Sequence, residues 1–313
     1  MSLNKYLNPR NDFAFKRIFG TEKNQDTLIH FLNDILGFNG DHAIQSVSFL
    51  KTAQDPEIAA KKQSLVDALC KDETGRQYVV EMQIARTAGF EKGAQYYAPK
   101  AYSRQLNQGE EYEHLKEIIF LAITDFVMFP DKKEYKSDHV TLDKKTHSHD
   151  LKDFHFTFLE LPKFTKTIDE LESIVEKWAY FFKHAEETKE GEVKKIVGKD
   201  PVIERAYEEL NRFSWSEIEL NTYEQEEKRE RDAQAILKQQ RRDLEAQLEA
   251  QKASYIAEGE AKGRVEGMAE GEKLAQQTIA KKALAQNMLL ETIHHLTGLT
   301  LAEIKALKAS TDH

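Results

Sequence analysis

Apolar residues recur at helical spacing in two early stretches, NDFAFKRIF (11–19) and QDTLIHFLNDIL (25–36), which predicts two amphipathic helices. SVSFLKT (46–52) alternates as a strand does. SLVDALCKDETGRQYVVEMQIA (64–85) alternates on both sides of a polar turn, the pattern of a hairpin. A helix is expected over 90–106, with Pro99 kinking it or ending its first half. EIIFLAITDF (117–126) is apolar nearly throughout and predicts a buried strand. Further strands are expected at 135–142 and 155–161, on either side of the polar loop DKKTHSHDLKD, and IDELESIVEKWAYFFKHA (168–185) reads as another amphipathic helix. Helix, three strands, helix, strands, helix is the order of an α/β (α+β) fold, a layered sheet flanked by helices.

The pattern changes after Trp215. From 222 to 286 there is no proline, and Glu, Lys, Arg, Gln and Ala dominate. Ala233, Leu237, Leu244, Leu248 and Tyr255 form a sparse stripe whose intervals close at eleven residues, which favours a straight or right-handed supercoil. Gly259, Gly263, Gly267 and Gly271 follow at every fourth position. Small residues so spaced allow close helix–helix approach, as documented in membranes; the competing reading is a fraying helix, since each glycine costs about 1 kcal/mol against alanine. The expected organisation is an α/β domain over 1–190, connecting helices over 191–221, a long helix or coiled coil over 222–286, and a helical tail over 287–313. The tail opens with a capping-box pattern at Thr300 and Glu303 and could form a small helix-turn-helix.

A charged fraction of 32% fits a solvated helical extension, and the 40% hydrophobic fraction is enough for a core. The net charge of −9 argues against a protein that coats nucleic acid non-specifically, though not against a local basic cleft. Cys70 is the only cysteine, so one chain can build neither a disulfide framework nor a thiolate zinc site. No apolar run approaches the roughly 18 residues of a membrane span, and the N-terminus has no signal-like segment. A cytoplasmic protein with no membrane partner is expected.

The hairpin carries the chemistry. With Glu73-Thr74-Gly75 as a three-residue loop, Asp72 pairs with Arg76 and Asp67 falls directly opposite Glu81. Leu65, Asp67, Leu69, Val79, Glu81 and Gln83 then share one face, and the other face is apolar. Like charges at opposed positions are destabilising. A retained proton, a bridging Arg or Lys, or a divalent cation would each compensate; the remaining possibility is an edge hairpin whose carboxylates face water.

Asp67 followed by Glu81-Met82-Gln83 on the next strand resembles the signature of PD-(D/E)XK nucleases, and in particular the recombination-promoting nucleases (Rpn) that are also described as transposases. NDFAFKRIFG (11–20), YYAPKAYSRQLNQGEEYEHLKEIIFLAITDF (96–126), FLELPKF (158–164), WAYFFKHA (178–185), the YEQEEKRERDA helix and the glycine run extend the likeness over nearly the whole chain. The resemblance implies a restriction-endonuclease-like mixed sheet flanked by helices and a Mg²⁺-dependent DNA endonuclease linked to recombination, mobile elements or defence against foreign DNA. It implies Asp67, Glu81 and the carbonyl of Met82 as metal ligands, Gln83 in the place of the usual lysine, and Asp12 as a third acidic contributor. Gln83 can orient water but brings no positive charge. Lys16, one turn after Asp12, is the candidate to restore it if the first helix packs over the site, with Lys92 as a second.

The tyrosines Tyr96, Tyr97 and Tyr102 read as core or groove wall, and His147 and His149 as exposed loop residues rather than zinc ligands. DNA and a second copy of the chain, joined through the C-terminal helices, are the expected partners. The alternative function is an inactive nuclease fold that binds DNA or protein as an oligomeric scaffold.

Overall fold

A computed structural model of the protein describes residues 4–50, 67–107, 109–198 and 200–310. Residues 64–66, with which the expected hairpin begins, and 51–52, which end the first expected strand, lie outside them. The chain divides into two compact units, Met1–Glu230 and Arg231–His313.

The first unit is built around a six-stranded mixed sheet in the order β1-β2-β3-β4-β6-β5. Its strands are β1 (Val47–Phe49), β2 (Ala68–Asp72), β3 (Gln77–Gln83), β4 (Ile118–Thr124), β5 (Lys136–Val140) and β6 (Phe154–Glu160). β1, β2 and β3 pair antiparallel, β3, β4 and β6 run parallel, and β5 returns antiparallel on β6. All seven residues of β4 are buried, as expected of a central strand covered on both faces.

One face packs on α1 (Asp12–Phe19), α2 (Gln25–Leu36), α4 (Ile174–His184), α5 (Glu190–Val197) and α6 (Pro201–Glu209). Cys70, Tyr78, Val80, Met82, Ile119 and Leu121 supply the sheet side of this core. Phe19, Phe31, Trp178 and Phe182 supply an aromatic cluster with ring centroids 4.9–6.3 Å apart. The opposite face, with Val79, Phe120, Ala122 and Phe158, is roofed by α3 (Phe90–Ser103) through Ala94 and Ala98. Both hairpin faces are therefore core.

Three local expectations are modified. Pro99 neither ends nor halves α3, which runs through it with the ring on the exposed side. The helix expected over 168–185 is a 3₁₀ turn at Ile168–Glu170 and then α4, restarted by a capping box of Ser173 and Glu176. The connection expected over 191–221 is core: Ile196, Ile203, Ala206, Tyr207, Leu210 and Trp215 pack into the main cluster, as does Tyr223 beyond it.

The hairpin register is set at its turn. The Asp72 N–H donates to the Arg76 carbonyl (3.0 Å), the Gly75 N–H donates to the Asp72 carbonyl (3.1 Å), and Gly75 adopts φ +90°. The buried Asp72 carboxylate accepts from the Thr74 N–H and hydroxyl, the Arg76 N–H and Nε, and the Tyr78 hydroxyl. Burial opposes its charge, but these donors and Arg76 outweigh it and hold its pKa below the ordinary value.

The second unit contains most of the 69-residue α7 (Glu217–Ala285), followed by α8 (Leu290–Thr297) and α9 (Leu301–Ala309). Ala280, Ala283, Ile293, Leu299 and Ile304 form its small core. The expected capping box is present, with the Glu303 N–H on Thr300 Oγ1 and the Thr300 N–H on Glu303 Oε2. Gly259, Gly263, Gly267 and Gly271 are exposed, with open space where a Cβ would stand.

Asp72→Ala strands the buried Tyr78 hydroxyl and removes the turn's central acceptor. Denaturant titration should show a loss of about 3 kcal/mol; a loss under about 1 kcal/mol would mean that the turn does not hold the register.

Candidate active site

The site is assembled from β2, β3 and α1. Ala68 faces Val80 and Cys70 faces Tyr78. Carried back one residue, the same register sets Asp67, just before β2, against Glu81. The Asp67 side chain turns toward the partner strand, where Oδ2 accepts the Met82 N–H at 2.7 Å. Backbone groups alternate sides along a strand. The Gln77 N–H and the Gln83 carbonyl bond on the β4 side, so the Met82 N–H and carbonyl face β2 and the Asp67 carboxylate.

α1 delivers the cation. Asn11 caps it, its side-chain oxygen accepting from the Phe13 and Ala14 N–H groups. Phe15, Ile18 and Phe19 are buried in the main core. Asp12 and Lys16, at i and i+4, are thereby set at the hairpin's end. Lys16 Nζ lies 2.7 Å from Asp12 Oδ1 and 3.4 Å from Asp67 Oδ1.

Burial works against the Lys16 ammonium, but hydrogen bonding and charge from Asp12, and then Asp67, raise its pKa above the ordinary value. Burial raises the Asp67 pKa, and Asp12 adds to this. The Met82 N–H and Lys16 only partly offset it. Burial, then the charge on Asp67, pushes Glu81 from an ordinary 4.5 to about 9, against the pull of Lys16. Glu81 Oε2 is buried and has no hydrogen-bond partner among the described residues.

The structure thus brings Asp12, Lys16, Asp67, Glu81 and Met82 together. Gln83 shares the Glu81 face two residues further on, and its amide nitrogen donates to the Ala85 carbonyl at 2.8 Å. Beside it, the Asp125 N–H donates to the Gln83 carbonyl, and the Asp125 carboxylate pairs with Arg10 at 2.9 Å. Lys92 is exposed in the first turn of α3. His147 is exposed with φ +56°, whereas His149 is half-buried with its ring centroid 5.2 Å from that of His155, so it is not the free loop residue expected.

Two neighbours join these residues: Tyr97, expected as core or groove wall, and Glu230, which sequence reasoning missed. Tyr97, on the inward side of α3, has its hydroxyl pKa raised by burial and then by the charge of Glu81. Glu230 on α7 is pushed to about 7 by burial, then by Glu227 and Asp12, so the first turns of α7 bring acidic groups to the edge of the site. EEKRERD resembles any solvated helix and carries no signal of this. A separate exposed group, Glu111, Glu113 and His114, places its donor atoms within 4.8 Å of one another but lacks such burial.

Two opposed, desolvated carboxylates with an unpartnered oxygen fit a hard divalent cation, whose oxygen ligands they supply. A family model described as PD-(D/E)XK nuclease family transposase matches residues 9–240. No curated protein and no solved structure matches the chain.

Because Glu81 holds its proton to about pH 9 when folded but only to about 4.5 when unfolded, native stability falls as pH rises between those values. Glu81→Gln removes that dependence. Without divalent cations, the variant should melt higher than the parent at pH 8 to 9 and alike near pH 4; a lower melting temperature at high pH contradicts the burial of this carboxyl.

Proposed function

The chain belongs to the PD-(D/E)XK nuclease family transposases, and on that basis we propose that it is a Mg²⁺-dependent endonuclease hydrolysing DNA phosphodiesters at the Asp67–Glu81 site. The observation that carries this reading is the largely buried opposition of the two carboxylates, with Lys16 against Asp67 and one Glu81 oxygen unpartnered among the described residues. We assign Asp67, Glu81 and the Met82 carbonyl as the groups that hold the cation. Bound there, Mg²⁺ supplies neutralisation of charge on the phosphorus oxygens and a lowered pKa for water.

The chain's own residues do the rest. The Met82 N–H aims Asp67. Lys16 supplies the positive charge that Gln83 lacks, and Asp12 keeps its ammonium charged and in place. The Gln83 oxygen is left to accept a hydrogen bond from the attacking water while its nitrogen is held by Ala85. Proximity and electrostatics of this kind are what phosphoryl chemistry asks of a protein.

The long exposed α7 in the second unit is where we place pairing with a second copy, since cutting both strands of a duplex needs two sites. Recombination, mobile elements or defence against foreign DNA, in the cytoplasm, is the proposed context. A second reading, a non-cleaving fold that binds DNA or protein, is favoured by the neutral Gln83 and the net charge of −9.

Nicking of supercoiled plasmid decides between them. With Mg²⁺ the parent should cut, Asp67→Ala and Glu81→Ala should be silent though folded, and Lys16→Ala should cut about 10²-fold more slowly. A parent as inert as its variants in Mg²⁺ and Mn²⁺ rejects the enzyme.

Cation binding must also displace the Glu81 proton. Calorimetry in buffers of different ionisation enthalpy should show proton release on Mg²⁺ addition at pH 7, with affinity rising with pH up to about 9. Affinity indifferent to pH would place the cation elsewhere.

A further inference from the structure

α3 presents two unlike sides. Inward, Ala94 and Ala98 are small enough for it to lie on the sheet, and Tyr97 reaches the surroundings of Glu81. Outward, Lys92, Tyr96 and Lys100 stand at i, i+4 and i+8, along one side of the helix. In a chain of net charge −9 this stripe carries no acid; Glu91, the acidic residue of α3, lies off it.

Tyr96 is 58% exposed. It is held in position: its ring meets Tyr97 edge-on at 5.4 Å and 71°, and Lys100 Nζ lies 5.6 Å from its centroid. A large aromatic left in solvent, braced by the Tyr97 ring and set between two lysines, has the composition of a stacking platform with flanking phosphate contacts.

From this arrangement we infer that α3 binds a single strand of nucleic acid across the roof of the site, with one base stacked on Tyr96 and phosphates on Lys92 and Lys100. The lysines are about 12 Å apart along the helix axis, so they meet phosphates that are not adjacent, one on each side of the stacked base. The inference deepens the nuclease reading by specifying an unpaired or splayed strand as the substrate form. In a duplex the neighbouring bases cover the π-face that Tyr96 would stack on, whereas a lysine-only contact would be indifferent to pairing.

The test is fluorescence anisotropy of a labelled single-stranded oligonucleotide with the full chain, in EDTA so that nothing is cut, beside plasmid nicking in Mg²⁺. Tyr96→Ala should weaken binding by about 5- to 100-fold, and Tyr96→Phe should restore it, since the ring and not the hydroxyl stacks. Lys92→Gln and Lys100→Gln should each reduce the slope of log affinity against log salt by about 0.7. These positions are exposed or half-exposed, and matching melting temperatures will show that the variants fold.

If the parent binds and Tyr96→Ala binds equally, or Tyr96→Phe fails as Tyr96→Ala does, the inference is overturned while cleavage still judges the nuclease reading. If binding follows the pattern but no plasmid is nicked, the stacking track stands and the nuclease reading falls. A parent that binds no oligonucleotide overturns the inference, and plasmid nicking alone then judges the nuclease reading.

Discussion

Repulsion between two carboxylates that a hairpin forces together is the interaction around which the rest of the first unit is arranged. Opposed positions on antiparallel strands put their Cβ atoms about 5 Å apart, and the hairpin packs against core on both faces, so water screens the largely buried Asp67 and Glu81 only weakly. Each surrounding element answers that repulsion in part. The Asp72 turn fixes the register that creates it, the Met82 N–H holds one Asp67 oxygen, and α1 brings Lys16 to the other. One Glu81 oxygen remains without a partner among the described residues, and the remaining cost is carried as a retained proton. Stability is thus given up locally at a place where a cation would restore it.

In the proposed nuclease reading, the same geometry lets a neutral glutamine stand where a lysine is expected. The positive charge beside Asp67 comes from outside the sheet, from an amphipathic helix with an i, i+4 Asp12–Lys16 pair. α1 can do so because it is anchored twice: by its buried aromatic face, and by Asn11, whose amide also reaches the Tyr223 carbonyl on α7. The Tyr223 hydroxyl in turn accepts the Asn8 N–H. Residues that read as the start of an independent helix therefore brace the segment leading into the site, and bring Glu230 within electrostatic reach of Asp12. This is a physical reason for the first unit to extend to Glu230.

Much of this was readable beforehand, because local rules govern it. The strand period and a three-residue loop ending in a left-handed glycine were enough to oppose Asp67 to Glu81, and the exclusion of apolar groups from water to bury the hairpin's apolar face. The i, i+4 spacing was enough to pair Asp12 with Lys16. Helices α1 and α2 and the apolar β4 followed from periodicity, and the Thr300–Glu303 box from helix capping.

What only the tertiary structure decided depends on which surfaces meet, and no local pattern encodes that. That α1 docks with Lys16 against Asp67 rather than in solvent, that 191–221 enters the core, and that α3 passes through Pro99 are outcomes of packing. So is the arrival of Glu230 beside Asp12, for a glutamate on a charged helix looks the same whether it ends in water or against another carboxylate. The sequence by itself determined the pair of acids and their opposition, since strand geometry and turn chemistry act between near neighbours in the chain. The tertiary structure decided the cation, the roof and the desolvation around them, since these come from segments far apart in sequence whose contacts exist only once the core has formed.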